Sequence, residues 1–363
     1  MSLPKNNQAF KAVRWFAELL LRSPVKESDF VRKAVRFVTE RSKVTQGLPA
    51  RACHLYRLAV DSKGDVYPCC MVYRSAYHKI GNIRDPDLAQ AIDSYERTCS
   101  CDVVKLRKKN NEDPTGDERI LNLELSLVCQ AECAMCCVGA PDWAGKYDRY
   151  AELTQLIRSQ KPDSIVMQGG EVLIQPRSLD WAREIKSEFP RTKLRVVTNG
   201  NLEATMAPTL SGLFDSFVIS FVGFQPETYR TIMGLDLGKT LAFAKALIEQ
   251  RASEVTLKFL ITPLGIHEVA QFIGEALQLQ PNNILVAESG TRAYIVADTP
   301  DRFWGKIVDR SSRAVKRALC SAKDSLDRHD VKVHFETAAA SLLDVHDAFL
   351  RSNGLETRVF THW

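Results

Sequence analysis

The stretch that decides the reading runs Ile120-Leu121-Asn122-Leu123-Glu124-Leu125-Ser126-Leu127-Val128-Cys129-Gln130-Ala131-Glu132-Cys133-Ala134-Met135-Cys136. In its first half Leu121, Leu123, Leu125 and Leu127 alternate with polar residues, the period of a β-strand. Its second half is a Cys-x3-Cys-x2-Cys loop. Three thiolates on one short loop can ligate three irons of a cubane cluster. The fourth iron is then open to a ligand, as the open position of a catalytic zinc is. Zinc binding and a redox disulfide are the simpler alternatives. Zinc takes four ligands, usually in two spaced pairs, and a paired fourth partner is not obvious here. A disulfide needs two cysteines, not three.

Outward from this strand the pattern repeats. Apolar runs at Ser164–Gln168, Leu194–Thr198, Phe217–Phe221, Val255–Ile261 and Asn283–Ala287 are separated by helical periodicities near 148–160, 177–188, 203–213, 238–251 and 267–279. Such alternation predicts an α/β fold with parallel strands and right-handed crossovers, a partial (β/α)6 TIM-type barrel. Its ligands belong at the C-terminal strand ends. After residue 300 a helix near 305–328 and a strand near 331–336 are expected. Two amphipathic helices are expected at 7–21 and 28–42.

Nine of the ten cysteines lie between Cys53 and Cys137, and only Cys320 lies apart. Cysteines used as small hydrophobes would be scattered. Cys53 is followed by ten residues, Gly64, four residues and Cys69, with Cys70 next to it. Gly81-Asn82-Ile83 and Cys99-Ser100-Cys101 come later. Asp61-Ser62-Lys63-Gly64-Asp65 reads as a hairpin turn. A hairpin with Cys53 before it and Cys69 after it, and a later close pair, bring four thiolates together, a set that fits an iron–sulfur cluster or a structural zinc.

The bulk properties narrow the class. The chain has 363 residues, 45% hydrophobic and 26% charged, with a net charge of +5. That charge is too small to predict nucleic-acid or membrane binding, and the run Lys105-Leu106-Arg107-Lys108-Lys109 reads as a solvated face. The apolar stretch Trp15–Leu21 is short, broken by Glu18, and lacks a small-residue cleavage site. A cytoplasmic protein is expected, whose cysteines serve metal ligation in a reducing compartment.

On these residues the segment Leu123–Cys136 resembles the first strand and cluster loop of the radical S-adenosylmethionine (SAM) superfamily. The resemblance implies a [4Fe-4S] cluster on Cys129, Cys133 and Cys136. It also implies SAM chelated at the open iron, and reductive cleavage to a 5'-deoxyadenosyl radical. Met135 stands where relatives usually carry an aromatic residue against adenine. Gln168-Gly169-Gly170-Glu171 resembles the family's Gly-Gly-Glu element for the SAM amino group. Thr198-Asn199-Gly200 resembles its Thr-Asn-Gly element, which implies Thr198 and Asn199 as SAM-binding residues. Ser220 resembles a serine that binds the SAM carboxylate or ribose. Val222 stands where relatives often have Asp. Pro226-Glu227-Thr228-Tyr229 and Met233-Gly234 resemble the helix after strand four. Lys258 on strand five is a candidate for binding a carboxylate.

The early segment, with Asp65-Val66-Tyr67-Pro68-Cys69 and Gly-Asn-Ile, resembles the SPASM or twitch modules of the same superfamily. The resemblance implies one auxiliary [4Fe-4S] cluster on Cys53, Cys69, Cys99 and Cys101, with Cys70 the alternative to Cys69. Here the module precedes the barrel, and the later cysteines of a two-cluster module are missing. The expected organisation is a helical segment at 1–45, the module and a linker at 46–112, the barrel at 113–300 and an extension at 301–363.

The expected activity is hydrogen abstraction from a peptide or small molecule, with net oxidation or rearrangement, fed by a reductase such as flavodoxin or ferredoxin. An oxidoreductase is the first expectation. An epimerase using Cys320 or Cys137 as hydrogen donor is a second, and a non-catalytic iron–sulfur electron carrier a third. No Asp-x-His-x-x-Gly motif for cobalamin is present.

Overall fold

The computed structural model describes residues 51–52, 57–68, 79–95, 98–99, 118–133, 148–262, 265–288 and 332–336. The chain opens with β1 (Arg51–Ala52), β2 (Arg57–Val60), β3 (Asp65–Tyr67) and β4 (Gly81–Asn82), then α1 (Leu88–Ser94) and β5 (Thr98–Cys99). Alternation follows: β6 (Ile120–Ser126), α2 (Tyr150–Gln160), β7 (Ser164–Gly169), α3 (Pro176–Glu188), β8 (Lys193–Thr198), α4 (Ala207–Ser211) and β9 (Ser216–Phe221). Two helices, α5 (Pro226–Met233) and α6 (Leu237–Gln250), lead to β10 (Glu254–Ile261), α7 (Val269–Leu279), β11 (Asn283–Glu288) and β12 (Lys332–Glu336).

Ten strands form one sheet in the order β12-β11-β10-β9-β8-β7-β6-β2-β3-β4. From β6 to β12 every pairing is parallel. The six expected strands are present with the five helical segments expected between them, and β12 extends the parallel sheet beyond them. At the other edge β2 pairs parallel with β6, and β3 and β4 continue antiparallel. The early hairpin is thus continuous with the barrel wall. The expected helices at 7–21, 28–42 and 305–328 lie outside the described residues.

Residues opposite one another in register share a face of the sheet. Leu121, Leu123, Leu125, Ile165, Met167, Leu194, Val196, Phe217, Ile219, Val255, Leu257 and Phe259 pack with helix residues such as Leu153, Trp181, Ile185, Phe243 and Phe272 in one core. The alternate residues form the opposite, inner face. One row is Asn122–Val166–Arg195–Ser216–Glu254. Nearer the strand ends come Glu124–Gln168 and then Ser220–Lys258–Leu285. The aliphatic set faces the helices because each strand is covered there, which leaves the polar set for the barrel interior.

Local chemistry ends each helix. Asp236 caps α6, accepting from Gly238 N at 2.8 Å. Lys161, Arg251 and Gln280 close α2, α6 and α7 in the left-handed conformation, and Gly234 closes α5 the same way.

The hairpin is locked to the barrel through buried polar contacts. Gly64 sits at φ +83° in its turn, where a side chain would strain the backbone and meet Ile83. Asn82 donates to Lys63 O at 3.1 Å and to Asp65 Oδ1 at 2.7 Å, so the Gly-Asn-Ile element braces that turn. Ser62 N donates to Glu124 Oε2 at 3.0 Å, and Arg149 Nη1 to Ser62 O at 3.1 Å. Asn122 Nδ2 reaches Leu58 O at 3.3 Å.

Glu124 is 2% exposed. Burial raises its carboxyl pKa to about 8, only partly offset by the Ser62 amide, and the neighbouring Asp61 charge adds to the rise. An acid whose pKa is higher folded than unfolded stabilises the native state fully below its unfolded value. That contribution is lost as pH climbs to about 8. Glu124→Gln, which keeps an acceptor for Ser62 N, is expected to flatten the fall in Tm between about pH 5 and 8. Thermal melts across that range check it, and parallel wild-type and variant curves would contradict it.

Candidate functional site

Strand β6 delivers its chain into the cysteine loop at the C-terminal edge of the sheet. Cys129 and Cys133 are both half-buried. They pack against the edge of the main core, and Ala131 N points at Cys129 Sγ from 3.4 Å. Cys136, Met135 and Cys137 lie outside the described residues.

The root of this loop is clamped by the end of β7. Gly170 N donates to Ser126 O at 2.6 Å and Glu171 N to Val128 O at 2.8 Å. Gly169, at φ +137°, would place a Cβ 2.1 Å from Ser126 O, and Gly170 one 2.1 Å from Val128 O. The sequence reading gave these glycines to close approach of a ligand. In the structure they first allow close approach of two backbones, β7 onto the loop root. On the far side of the loop Glu132 N donates to Met233 O at 2.9 Å. A Cβ added at Gly234 would lie 3.5–3.9 Å from Glu132. The Met-Gly pair at the end of α5 therefore holds the loop beside Cys133.

Glu171 lies inside the wall with no exposed surface. Its Oε1 accepts from Leu173 N at 3.1 Å and Thr198 Oγ1 at 2.9 Å, its Oε2 from Thr198 Oγ1 at 2.9 Å and Asn199 N at 2.8 Å. Burial lifts its pKa to about 7, while the Asn199 and Leu173 amides and the Thr198 hydroxyl pull downward. The carboxylate joins the β7 turn to the β8 turn. Thr198 in turn accepts from Gly200 N at 2.9 Å, so the three residues of the Thr-Asn-Gly turn are tied together.

Asn199 brings that turn to the cysteines. Its Nδ2 lies 3.8 Å from Cys129 Sγ. Its Oδ1 accepts from Gln130 Nε2 at 3.2 Å and Asn201 N at 2.9 Å. Gln130 was missed in the sequence reading, because a glutamine between two cysteines carries no pattern. Glu124 was missed too, read only as a polar position of an alternating strand.

Ser220 and Lys258 stand side by side in register on the inner face near the mouth, both half-buried. Behind them Phe221, Phe224, Phe259 and Phe272 stack with ring centroids 5.0–5.8 Å apart, a stiff wall under the rim. Val222, at the position where relatives often carry Asp, is fully buried. Arg195, deeper on the inner face, pairs with Glu118 at 2.6 Å.

Of the auxiliary cysteines only the backbone of Cys99 is described. The β1–β5 ladder sets it opposite Arg51, two residues before Cys53 in the chain. Cys53, Cys69, Cys70, Cys101 and Cys320 lie outside the described residues.

The parallel sheet thus carries the cysteine loop at the C-terminal end of β6. Residues 53–116 match the SPASM family, described as an iron-sulfur cluster-binding domain. The fold matches SuiB of Streptococcus suis bound to S-adenosylmethionine, with a TM-score of 0.51 and 14% identity over 73% of this chain and 59% of that one. SuiB bound to the precursor peptide SuiA aligns with a TM-score of 0.49 and 16% identity over 72% and 55%. The native anSMEcpe with bound AdoMet aligns at 0.45 and 15% over 59% and 63%. The chain thus spans 55–63% of the length of these three structures. No curated protein sequence matches it. Among the described residues no helix is long and apolar enough to cross a membrane.

Proposed function

We propose that the chain is a radical SAM enzyme that abstracts hydrogen from a peptide or small-molecule substrate, with net oxidation or rearrangement. The observation that carries this reading is the cysteine loop at the C-terminal end of the first barrel strand, its root pinned by Gly169 and Gly170. The donor set fits the implied cluster: two half-buried sulfurs on one loop, with backbone and side-chain N–H groups aimed at one of them. Cys129, Cys133 and Cys136 would hold three irons of a [4Fe-4S] cluster, and SAM would bind at the fourth. When bound there, SAM and the reduced cluster supply a 5'-deoxyadenosyl radical.

The residues of the chain bind and position. Clamping through Ser126 O, Val128 O and Met233 O fixes the loop that carries the thiolates. Ser220 and Lys258, adjacent on the inner wall, offer a hydroxyl and an ammonium for a carboxylate at the mouth. The aromatic wall behind them keeps water out of the strand ends. The match of 53–116 to a cluster-binding family supports an auxiliary [4Fe-4S] cluster on Cys53, Cys69 or Cys70, Cys99 and Cys101. SuiB is described with a precursor peptide, which favours a peptide as the first substrate class to test. A cytoplasmic setting with a flavodoxin- or ferredoxin-type reductant completes the proposal.

The test is the anaerobically prepared full chain with dithionite and SAM. Formation of 5'-deoxyadenosine, and an electron-resonance signal that changes when SAM is added, are expected. Zinc in the triad, or no 5'-deoxyadenosine from an iron-loaded protein, would overturn the reading.

A further inference from the structure

We infer that Asn199 is a positioning residue for the cluster itself: its side-chain amide donates an N–H to the Cys129 sulfur and raises the reduction potential of the triad's iron–sulfur centre. This deepens the functional reading above and rests on it. An Asn amide can face either way, so the orientation must be argued. Asn201 N lies 2.9 Å from one terminal atom of Asn199. A peptide N–H can only donate, so that atom is the oxygen. The other terminal atom, 3.8 Å from Cys129 Sγ, is therefore the nitrogen.

Three further contacts fix the geometry. Gln130 Nε2 donates to the same Asn199 oxygen at 3.2 Å. Glu171 holds Asn199 N at 2.8 Å, and Asn199 itself is 8% exposed. Ala131 N approaches the same sulfur from 3.4 Å, so Cys129 receives both a backbone and a side-chain donor. Reduction places one more negative charge on the cluster and its sulfurs. N–H dipoles aimed at a thiolate stabilise that charge, and hydrogen bonding to the sulfurs is a main lever on such potentials. The turn expected from the sequence to contact SAM is thus also part of the electron-accepting centre.

The experiment is a potentiometric titration of the anaerobic full-length protein, followed by electron resonance on the signal that responds to SAM. Asn199→Asp keeps the acceptor for Asn201 N and Gln130, removes the donor to sulfur and adds a negative charge. Asn199→Ala removes the donor without adding charge. Both are expected to bind wild-type iron and to show a midpoint shifted to lower potential, further for Asp. A smaller reduced fraction at fixed dithionite should accompany the shift. Iron-loaded variants titrating at the wild-type midpoint would overturn this inference and leave the functional reading intact. A wild-type triad with no reducible cluster would overturn both. If Asn199→Ala fails to hold iron, the Asp variant decides.

Discussion

Cys129→Ala and Cys133→Ala are each expected to abolish 5'-deoxyadenosine formation, by on the order of 10³-fold or more, the scale of removing an essential group. Two remaining thiolates cannot hold a cubane that needs three protein ligands and an open fourth iron. Iron should fall from about eight per chain to about four, because the ligands proposed for the auxiliary cluster lie elsewhere in the chain. Both cysteines sit half-buried at the edge of the core, so losing one sulfur leaves the strand and helices packed. Iron and sulfide counts with product chromatography check this. Undiminished product from either variant would remove the triad from the mechanism. Loss of all iron would mean that the two centres do not load independently.

Gly170→Ala is expected to damage the barrel rim severely. Its Cβ would lie 2.1 Å from Val128 O and 2.7 Å from Leu127 C, both backbone atoms that cannot swing aside. Relief requires β7 to draw back from the loop root, breaking the bonds from Gly170 N to Ser126 O and Glu171 N to Val128 O. The cost should reach about 3 kcal/mol, the upper part of the range for overpacking. Cluster occupancy should fall with it, since the thiolate loop loses its anchor. Gly274→Ala in α7 is the control: nothing lies within 4 Å of the added atom. Replacing a helix-interior glycine there should stabilise by roughly 0.5–1 kcal/mol. Thermal melts and iron counts on the two variants separate a local clash from a general intolerance of alanine.

The strands of the barrel were readable because each is a short apolar run whose period changes at its ends. The helices were readable because their apolar residues recur at 3.6. The predicted helix near 148–160 is Tyr150–Gln160, and that near 238–251 is Leu237–Gln250. The hairpin turn at 61–65 was legible for a different reason. Gly64 is a residue only a left-handed turn requires, and it stands between two apolar pairs. What escaped the sequence was pairing between distant segments. Nothing in Arg57–Val60 states that it will lie parallel to Ile120–Leu123, or that Ser62 will find Glu124. Glu171 is assigned to the SAM amino group only through the resemblance of its Gly-Gly-Glu element. Of its three donor groups, Leu173 N is local, whereas Thr198 Oγ1 and Asn199 N come from the end of the next strand, beyond the reach of any local pattern.

The amino-acid sequence by itself determined the chemistry-bearing loop, the alternation of strands and helices, and the early cysteine-rich segment. Each of these is local, set by residue type and spacing along a few turns of chain. The tertiary structure alone decided that the early hairpin adds to the barrel wall, that Gly169 and Gly170 admit a backbone, and that Asn199 turns its amide to Cys129. Those outcomes depend on which buried donors meet which acceptors once the sheet has closed, and a buried polar group takes whatever partner packing brings within reach.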